Sequence, residues 1–119
     1  MKKDKRILIV DRDTDSRSEL ANFLLAAGYR NIKLASSYPD VLSTIKRVRF
    51  DVVLMDIFAP DLKGLNYAQQ IKGLMPETNV FLMIEPEHQK AINEEISNKI
   101  KCVLKPSMKQ CLLASISEL

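Results

Sequence analysis

The chain contains few residues of several types, and each shortage excludes some kinds of structural or functional site. Among 119 residues there is no tryptophan, aromatic residues make up 6%, and there are two cysteines and one histidine. Cys102 and Cys111 fall in a strand-like and a helix-like segment without the close spacing of a metal site, which predicts buried, reduced thiols rather than a disulfide or zinc framework. His88 lies near the start of a weak helical pattern, where a surface or capping position is expected rather than catalysis.

Long apolar runs, repeats and low-complexity stretches are also missing. No apolar run approaches the roughly 20 residues that a membrane-spanning helix needs. Residues 1–6 lead straight into a short strand-like segment instead of the longer apolar region of a signal peptide. We therefore expect a cytoplasmic protein that does not engage a membrane. With three glycines and five prolines a long disordered linker is not expected, and residues 1–119 are predicted to form a single domain.

Positive charge is not concentrated on one segment. The formal net charge is +3, and apart from the first residues the one close group of cations is Lys46, Arg47 and Arg49. This group follows a helical pattern, where a solvated helix end favours cations. A nucleic-acid surface needs a larger one-sided patch and a reading element, so no nucleic acid is expected to bind through this domain.

Short apolar runs alternate with amphipathic segments along the whole chain. The apolar runs predict strands at residues 7–10, 31–35, 52–55, 80–84 and 100–104. Helical spacing predicts helices near residues 14–27, 39–48, 65–74, 87–97 and 107–119. This alternation favours right-handed βαβ crossovers and a parallel sheet with helices on both faces, that is, an α/β fold.

Charged residues stand where three of the predicted strands end. Asp56 ends the most apolar stretch of the chain, Asp11 follows the first apolar run, and Lys105 follows the last. The carboxyl ends of parallel strands share one edge of the sheet, where open α/β folds place their ligand sites. We therefore expect these three side chains to form a small charged crevice. Asp13, at the start of the first helix, is predicted to cap that helix.

With these residues, the chain resembles the receiver domain of bacterial response regulators, the flavodoxin-like module of two-component signalling. The resemblance covers essentially all 119 residues. Asp56 and the proline- and glycine-containing loop after it look like the phospho-acceptor and its loop. Lys105 with the following proline looks like the lysine–proline pair, and Asp11 like the first of two acids. The resemblance implies a (βα)5 three-layer sandwich with strand order 2-1-3-4-5, and a signalling module rather than an enzyme.

The same resemblance implies a metal ion and partners. The family holds Mg²⁺ with its acidic pair, its acceptor and a backbone carbonyl two residues later, which here gives Asp11, Asp56 and the carbonyl of Phe58. The phosphoryl donor would be a histidine kinase or a phosphotransfer protein. The last helix would offer a surface for a homodimer.

Three positions depart from the family pattern. Arg12 stands where the second acid is expected, Ile84 where a serine or threonine ends the fourth strand, and Cys102 where an aromatic residue often lies. Isoleucine cannot donate a hydrogen bond to a phosphoryl oxygen. Any switching is therefore expected to run through Lys105 or the loop after Asp56.

Arg12 also changes the charge of the crevice. Two aspartates, one arginine and one lysine have a formal net charge of zero, so Mg²⁺ is expected to bind weakly or not at all. Two arrangements stay open for Arg12. It either pairs with Asp56 or Asp11 in place of the metal, or turns outward to solvent on its long stem.

The sequence leaves two main hypotheses for function. The first is a phosphorylatable receiver with altered chemistry, in which Asp56 is the acceptor and Lys105 its partner. The second is a pseudo-receiver that binds an unknown protein partner without phosphorylation. A third hypothesis, a phosphatase of the haloacid dehalogenase type based on Asp11 to Thr14, leaves Asp56 unexplained and calls for a longer chain.

Overall fold

Strands and helices alternate along the chain. The computed structural model describes residues 4–57, 62–105 and 108–119. In these ranges the elements are β1 (Arg6–Val10), α1 (Thr14–Ala26), β2 (Asn31–Ala35), α2 (Tyr38–Ile45), β3 (Val52–Asp56), α3 (Lys63–Leu74), β4 (Asn79–Ile84), a 3-10 helix (Pro86–Ala91), α4 (Glu94–Lys99), β5 (Lys101–Leu104) and α5 (Met108–Ser117).

The five strands form one parallel sheet in the order β2-β1-β3-β4-β5. This confirms the flavodoxin-like α/β fold and the strand order implied by the resemblance. The register aligns Val10 with Met55 and Ile84 with Leu104. The residues that follow these pairs therefore emerge at one rim of the sheet.

Alternate residues of the central strands enter two core layers, one on each face of the sheet. Because β1 is buried from its second residue onward and β3 is buried throughout, both strands are apolar at nearly every position, as parallel strands covered on both faces require. One layer contains Leu8, Val10, Val53 and Met55, packed with residues of α2, α3 and α4. The other contains Ile7, Ile9, Val52 and Leu54, packed with residues of α1 and α5.

The prediction of one continuous helix over residues 87–97 is wrong. The segment is divided into the 3-10 helix Pro86–Ala91 and the short helix α4, Glu94–Lys99. Asn93 starts the second part, since its side chain accepts the N–H of Ile96 at 2.9 Å. Ile96 is the buried residue of α4, and no residue of the 3-10 helix is buried. A segment with so thin an apolar face has little packing energy to keep it a single helix.

The prediction of two buried thiols is wrong for Cys111. Both cysteines are free, Cys102 is half-buried and Cys111 is exposed. On α5 the core positions belong to Leu112 and Ile116, so a residue directly before Leu112 points away from the sheet. Burial raises the pKa of the Cys102 thiol, which favours the inert protonated form.

The predicted cap at Asp13 is confirmed, and His88, which was predicted to lie at the surface or in a cap, takes part in a cap. The carboxylate of Asp13 accepts the N–H of Ser16 at 3.1 Å and its hydroxyl at 2.6 Å. The ring Nδ1 of His88 accepts the N–H of Glu85 at 3.3 Å. His88 therefore fixes the start of the 3-10 helix.

The group of cations after α2 is solvent-exposed, as expected: Lys46, Arg47 and Arg49 all lie at the surface. In the described part of the chain, no helix combines the length and the apolar character that crossing a bilayer requires.

Candidate functional site

Three charged residues lie at the carboxyl-terminal rim of the sheet. Asp11 directly follows β1, Asp56 ends β3 and Lys105 directly follows β5. Asp11 and Asp56 are each 6% exposed, and they are two of the few polar residues buried in the described chain. The pairing of β1 with β3 places the two aspartates on neighbouring strands at the same level. The structure thus brings together the three side chains that the sequence singled out.

Lys105 forms an ion pair with Asp56. Its Nζ lies 2.6 Å from Asp56 Oδ1, with the lysine side chain 29% exposed and the aspartate side chain 8% exposed. Burial by itself lowers the pKa of Lys105. The hydrogen bond and charge of Asp56, followed by the charges of Asp11 and Glu85, outweigh that effect and raise the pKa of Lys105 above the usual lysine value. The ammonium is therefore a fixed positive charge at physiological pH.

Asp11 is held in place by backbone hydrogen bonds. Its N–H donates to the carbonyl of Ala35 at 3.1 Å, and its Oδ1 accepts the N–H of Asp13 at 2.9 Å. Its own carbonyl accepts a hydrogen bond from Arg17 Nη1 at 2.6 Å. The carboxylate is thus positioned by the turn that leads into α1, and only one of its oxygens is engaged with that turn.

The folded protein disfavours the charged form of Asp11. Burial is the largest cause, and the charge of Asp56 adds to it. The N–H of Asp13 and the charge of Lys105 oppose these effects without cancelling them, so the pKa of Asp11 is raised above its usual value of 3.8. Two buried carboxylates and one ammonium leave negative charge that a further cation would neutralise.

We expect Asp11→Asn to make the domain more stable at neutral pH. A carboxyl whose pKa is raised on folding adds stability as the pH falls through the interval between its folded value and 3.8. The amide lacks the charge at every pH and still offers an oxygen to the N–H of Asp13. The gain should therefore be largest at pH 7 and vanish below pH 3.8, which urea denaturation of both proteins across this range measures. Equal stability at pH 7 would contradict the burial argument.

The start of α3 lies close against the end of β3. The N–H of Gly64 donates to the carbonyl of Ile57 at 2.8 Å. A Cβ on Gly64 would lie 2.0 Å from the carbonyl oxygen of Asp56, closer than any real contact. Leu62, just before α3, has a φ of 58°, an uncommon conformation for a branched residue. Phe58, whose carbonyl is a predicted metal ligand, lies outside the described residues, as does the proline after Lys105.

Ile84 fills the end of β4 with apolar volume. It is 2% exposed and belongs to the core layer under α2, α3 and α4. Its neighbour in the sheet is Leu104, the residue before Lys105. Cys102, two residues earlier on β5, packs against the same layer. Both positions therefore contribute to the core in this chain.

Arg12 is exposed at the surface beside the acids. It lines a cleft of about 210 Å³ whose other walls include Tyr38, Lys63 and Tyr67. The two tyrosine rings stack with centroids 4.2 Å apart, which gives the cleft one flat wall. A side chain in this place has access to solvent, and its pairing with Asp11 or Asp56 stays a prediction.

Glu85 is a further charged residue at this rim that was not predicted from the sequence. It follows β4 directly, and its Oε1 lies 3.9 Å from Lys105 Nζ. The signal was present, because Glu85 follows an apolar strand just as Asp11 does. The rule that strand ends meet at one edge would have placed it beside Lys105.

The side chains at this rim suit Mg²⁺ in kind. Carboxylate oxygens are the ligands that the ion prefers, and Asp11 and Asp56 supply them from adjacent strands. The ammonium of Lys105 already lies at one Asp56 oxygen, so a metal ion competes with it for the same carboxylate. Among the described residues, no group of three or more histidine, cysteine, aspartate or glutamate side chains is arranged to hold a metal.

Comparison with known proteins gives related sequences. The chain is 27% identical over 103 residues to the chemotaxis protein CheY of Thermotoga maritima, covering 86% of each chain. It is 34% identical over 77 residues to the transcriptional regulatory protein ZraR of Salmonella typhimurium, which covers 65% of this chain and 17% of that protein. The chain thus spans nearly all of one relative and about a sixth of the other.

Solved structures give the same fold. The crystal structure of a CheY-like response regulator receiver domain protein from Methanospirillum hungatei matches with a TM-score of 0.78 and 26% identity, over 97% of this chain and 92% of that one. A response regulator receiver domain protein from Clostridium thermocellum matches in fold with a TM-score of 0.83 at 21% identity, over 96% and 92% of the two chains.

The family model is decisive, since it covers almost the whole sequence. The model of the response regulator receiver domain matches residues 7–117, a span that contains β2 to β5, β1 except its first residue, and the charged rim. Proteins of this family are signalling modules rather than classical enzymes, and their receiver domains interact with histidine kinases or phosphotransfer proteins. The chain belongs to the response regulator receiver domain family of two-component signalling.

Proposed function

We propose that this receiver domain takes up a phosphoryl group on Asp56 from the phosphohistidine of a histidine kinase or phosphotransfer protein. The observation that supports this most is the carboxylate of Asp56, buried at the strand rim and held 2.6 Å from the ammonium of Lys105. A lysine so placed can follow the negative charge from the carboxylate to an incoming phosphoryl group.

In the proposed transfer, an oxygen of Asp56 attacks the phosphorus of the donor. The new P–O bond forms as the P–N bond of phosphohistidine breaks, and the released imidazole keeps the electron pair and takes a proton from solvent. Such transfers depend on positioning and on neutralising charge more than on covalent assistance. Lys105 supplies a fixed positive charge beside the equatorial oxygens, and its stem keeps that charge within reach of Asp56.

Mg²⁺ is proposed to bind weakly or not at all, with Asp11, Asp56 and the backbone carbonyl of Phe58 as its ligands. When bound, the ion neutralises charge on the phosphoryl oxygens. Its attraction to the site is reduced because Arg12 stands where a second carboxylate is expected, which removes one negative charge from the rim and adds a positive one. The altered pocket therefore favours slow, metal-poor phosphorylation over rapid activation.

The proposal includes the extent of the domain and its partners. Residues 1–119 are proposed to form one receiver domain, and α5 is proposed as the surface of a homodimer. We also propose, from the sequence, that the chain is cytoplasmic. Neither nucleic acid nor membrane is proposed to bind through this domain.

A second candidate function is a pseudo-receiver that binds a protein partner without phosphorylation. Three substitutions favour it. Ile84 has no hydroxyl to follow a phosphoryl group, Cys102 replaces an aromatic residue, and Arg12 replaces an acid. In this alternative the pair of Lys105 with Asp56 is purely structural and holds the rim in one state.

Acetyl phosphate with Mg²⁺ distinguishes the two functions. The phosphorylatable receiver is expected to gain the mass of one phosphoryl group in intact-protein mass spectrometry, and Asp56→Asn is expected to abolish that gain. Asp51→Asn is the matched control, since Asp51 is an exposed aspartate at the opposite end of the same strand, and it should leave the gain unchanged. No mass gain in the unmodified protein would favour the pseudo-receiver.

A further inference from the structure

We propose that Glu85 is a positioning residue that links Lys105, and through it the charge on Asp56, to the 3-10 helix Pro86–Ala91. This inference rests on the proposed function of Asp56. It adds a route by which phosphorylation of Asp56 changes the structure outside the pocket. In the resting protein the ammonium of Lys105 is shared between two carboxylates. A change of charge at Asp56 alters the hold of Lys105 on Glu85.

The geometry of the shared ammonium supports this arrangement. Lys105 Nζ lies 2.6 Å from Asp56 Oδ1 and 3.9 Å from Glu85 Oε1. The side chain of Glu85 is 40% exposed, whereas that of Asp56 is 8% exposed. The contact of Lys105 with Asp56 is therefore short and desolvated, whereas its contact with Glu85 is long and partly solvated. The contact with Glu85 is thus the one that changes when Lys105 moves.

Glu85 is also the first residue of the segment that it would move. Its N–H donates to Nδ1 of His88 at 3.3 Å, and its carbonyl accepts the N–H of His88 at 2.9 Å. No residue of the 3-10 helix is buried, so few packing contacts resist a shift at its start. A displacement of Glu85 is thus passed to residues 86–91 through the hydrogen bonds to His88.

The direction of the effect follows from charge. A phosphoryl group on Asp56 carries more negative charge than the carboxylate and draws the ammonium of Lys105 away from Glu85. Ile84 supplies no hydroxyl at this strand end, and Glu85, a carboxylate, cannot donate to a phosphoryl oxygen. A hydroxyl donor would be attracted to the phosphoryl group. Glu85 is instead released from Lys105 when Asp56 is phosphorylated.

A double-mutant cycle followed by NMR tests the link without phosphorylation. Asp56→Asn removes the inner carboxylate and is expected to shift the amide resonances of residues 86–91. In the Glu85→Gln background the same substitution should shift them by about a third as much or less, because the coupled contact is gone. Glu87→Gln is the matched control, an exposed glutamate in the first turn of the same helix, and should leave the shifts intact.

The pKa of Lys105 is a second readout that a purely structural role of Glu85 would not move. Its measurement through the Cε resonance is expected to give a lower value in Glu85→Gln than in the unmodified protein, since the charge of Glu85 raises it. Glu87→Gln should leave it unchanged. An unchanged pKa in Glu85→Gln, or shifts at residues 86–91 that are equal in both backgrounds, overturns the proposal. Glu85→Ala provides the same readouts if the glutamine variant fails to fold.

The outcomes of this experiment and of the acetyl phosphate experiment are separable. If the double-mutant cycle shows the expected coupling but acetyl phosphate gives no phosphoryl adduct, the acceptor function of Asp56 is overturned and the charge link through Glu85 is supported. If a phosphoryl adduct forms but the double-mutant cycle shows no coupling, the acceptor function is supported and the link through Glu85 is overturned.

Discussion

Replacing Gly64 with alanine is expected to destabilise the domain by about 3 kcal/mol, the upper part of the range for overpacking a tight contact. The added Cβ would lie 2.0 Å from the carbonyl oxygen of Asp56 and within 2.7 Å of two backbone atoms of Ile57. Backbone atoms of a buried central strand cannot move aside as a flexible side chain can. The first turn of α3 must therefore shift away from the end of β3.

Gly73 provides the matched control, since it lies in the same helix with open space around it. A Cβ added there meets nothing within 4 Å. Alanine is a better helix former than glycine and restricts the unfolded chain, so Gly73→Ala is expected to stabilise the domain by about 0.5–1 kcal/mol. Urea denaturation of the two variants should give changes of opposite sign. Similar changes in both would contradict the close approach of α3 to Asp56.

The second large effect is expected for Lys105→Met. Removing the ammonium leaves Asp56 buried beside Asp11 without its counter-charge, and breaking such a pair on one side costs about 3 kcal/mol at neutral pH. The cost of Lys105→Met should shrink at the alkaline end. The stabilisation from Lys105 is fully present below the unfolded lysine pKa of about 10.4 and is lost as pH rises through its raised folded pKa.

Two further variants separate the ion pair from a loss of side-chain packing. Lys101→Met removes an exposed lysine from the same strand, where Nζ bonds the hydroxyl of Ser115 at 2.8 Å, and is expected to change stability by about 0.5 kcal/mol at most. The double variant Lys105→Met, Asp56→Asn removes both charges and should regain most of the lost stability. If the double variant is as unstable as Lys105→Met alone, packing of the lysine stem and not charge accounts for the loss.

The strands and the charged rim were readable from the sequence because each rests on one strong constraint. A strand buried on both faces has to be apolar at nearly every position, which made residues 7–10 and 52–55 unmistakable. In a parallel sheet all carboxyl ends share one edge, so Asp11, Asp56 and Lys105 had to lie together once the alternation of strands and helices was accepted. Local chemistry alone was enough for the caps at Asp13 and His88.

The structural features that could not be predicted from the sequence depend on weak or long-range interactions. The segment after β4 has one buried residue, Ile96, and the side chain of Asn93 divides it by starting a new helix. Helical spacing averaged over residues 87–97 hides that break. The exposure of Cys111 follows from which face of α5 meets the sheet, and one residue of rotation decides it.

The most direct test of the account is the position of the phosphoryl group. After incubation with acetyl phosphate and Mg²⁺, borohydride reduction converts a phosphorylated aspartate to homoserine, which peptide mass spectrometry locates. We expect homoserine at position 56 and at no other aspartate, and none when Lys105 is methionine. Label at Asp11 or Asp51 in place of Asp56, or equal label at position 56 with and without the lysine, would contradict the claim that the sheet rim assembles a reactive aspartate with its own cation.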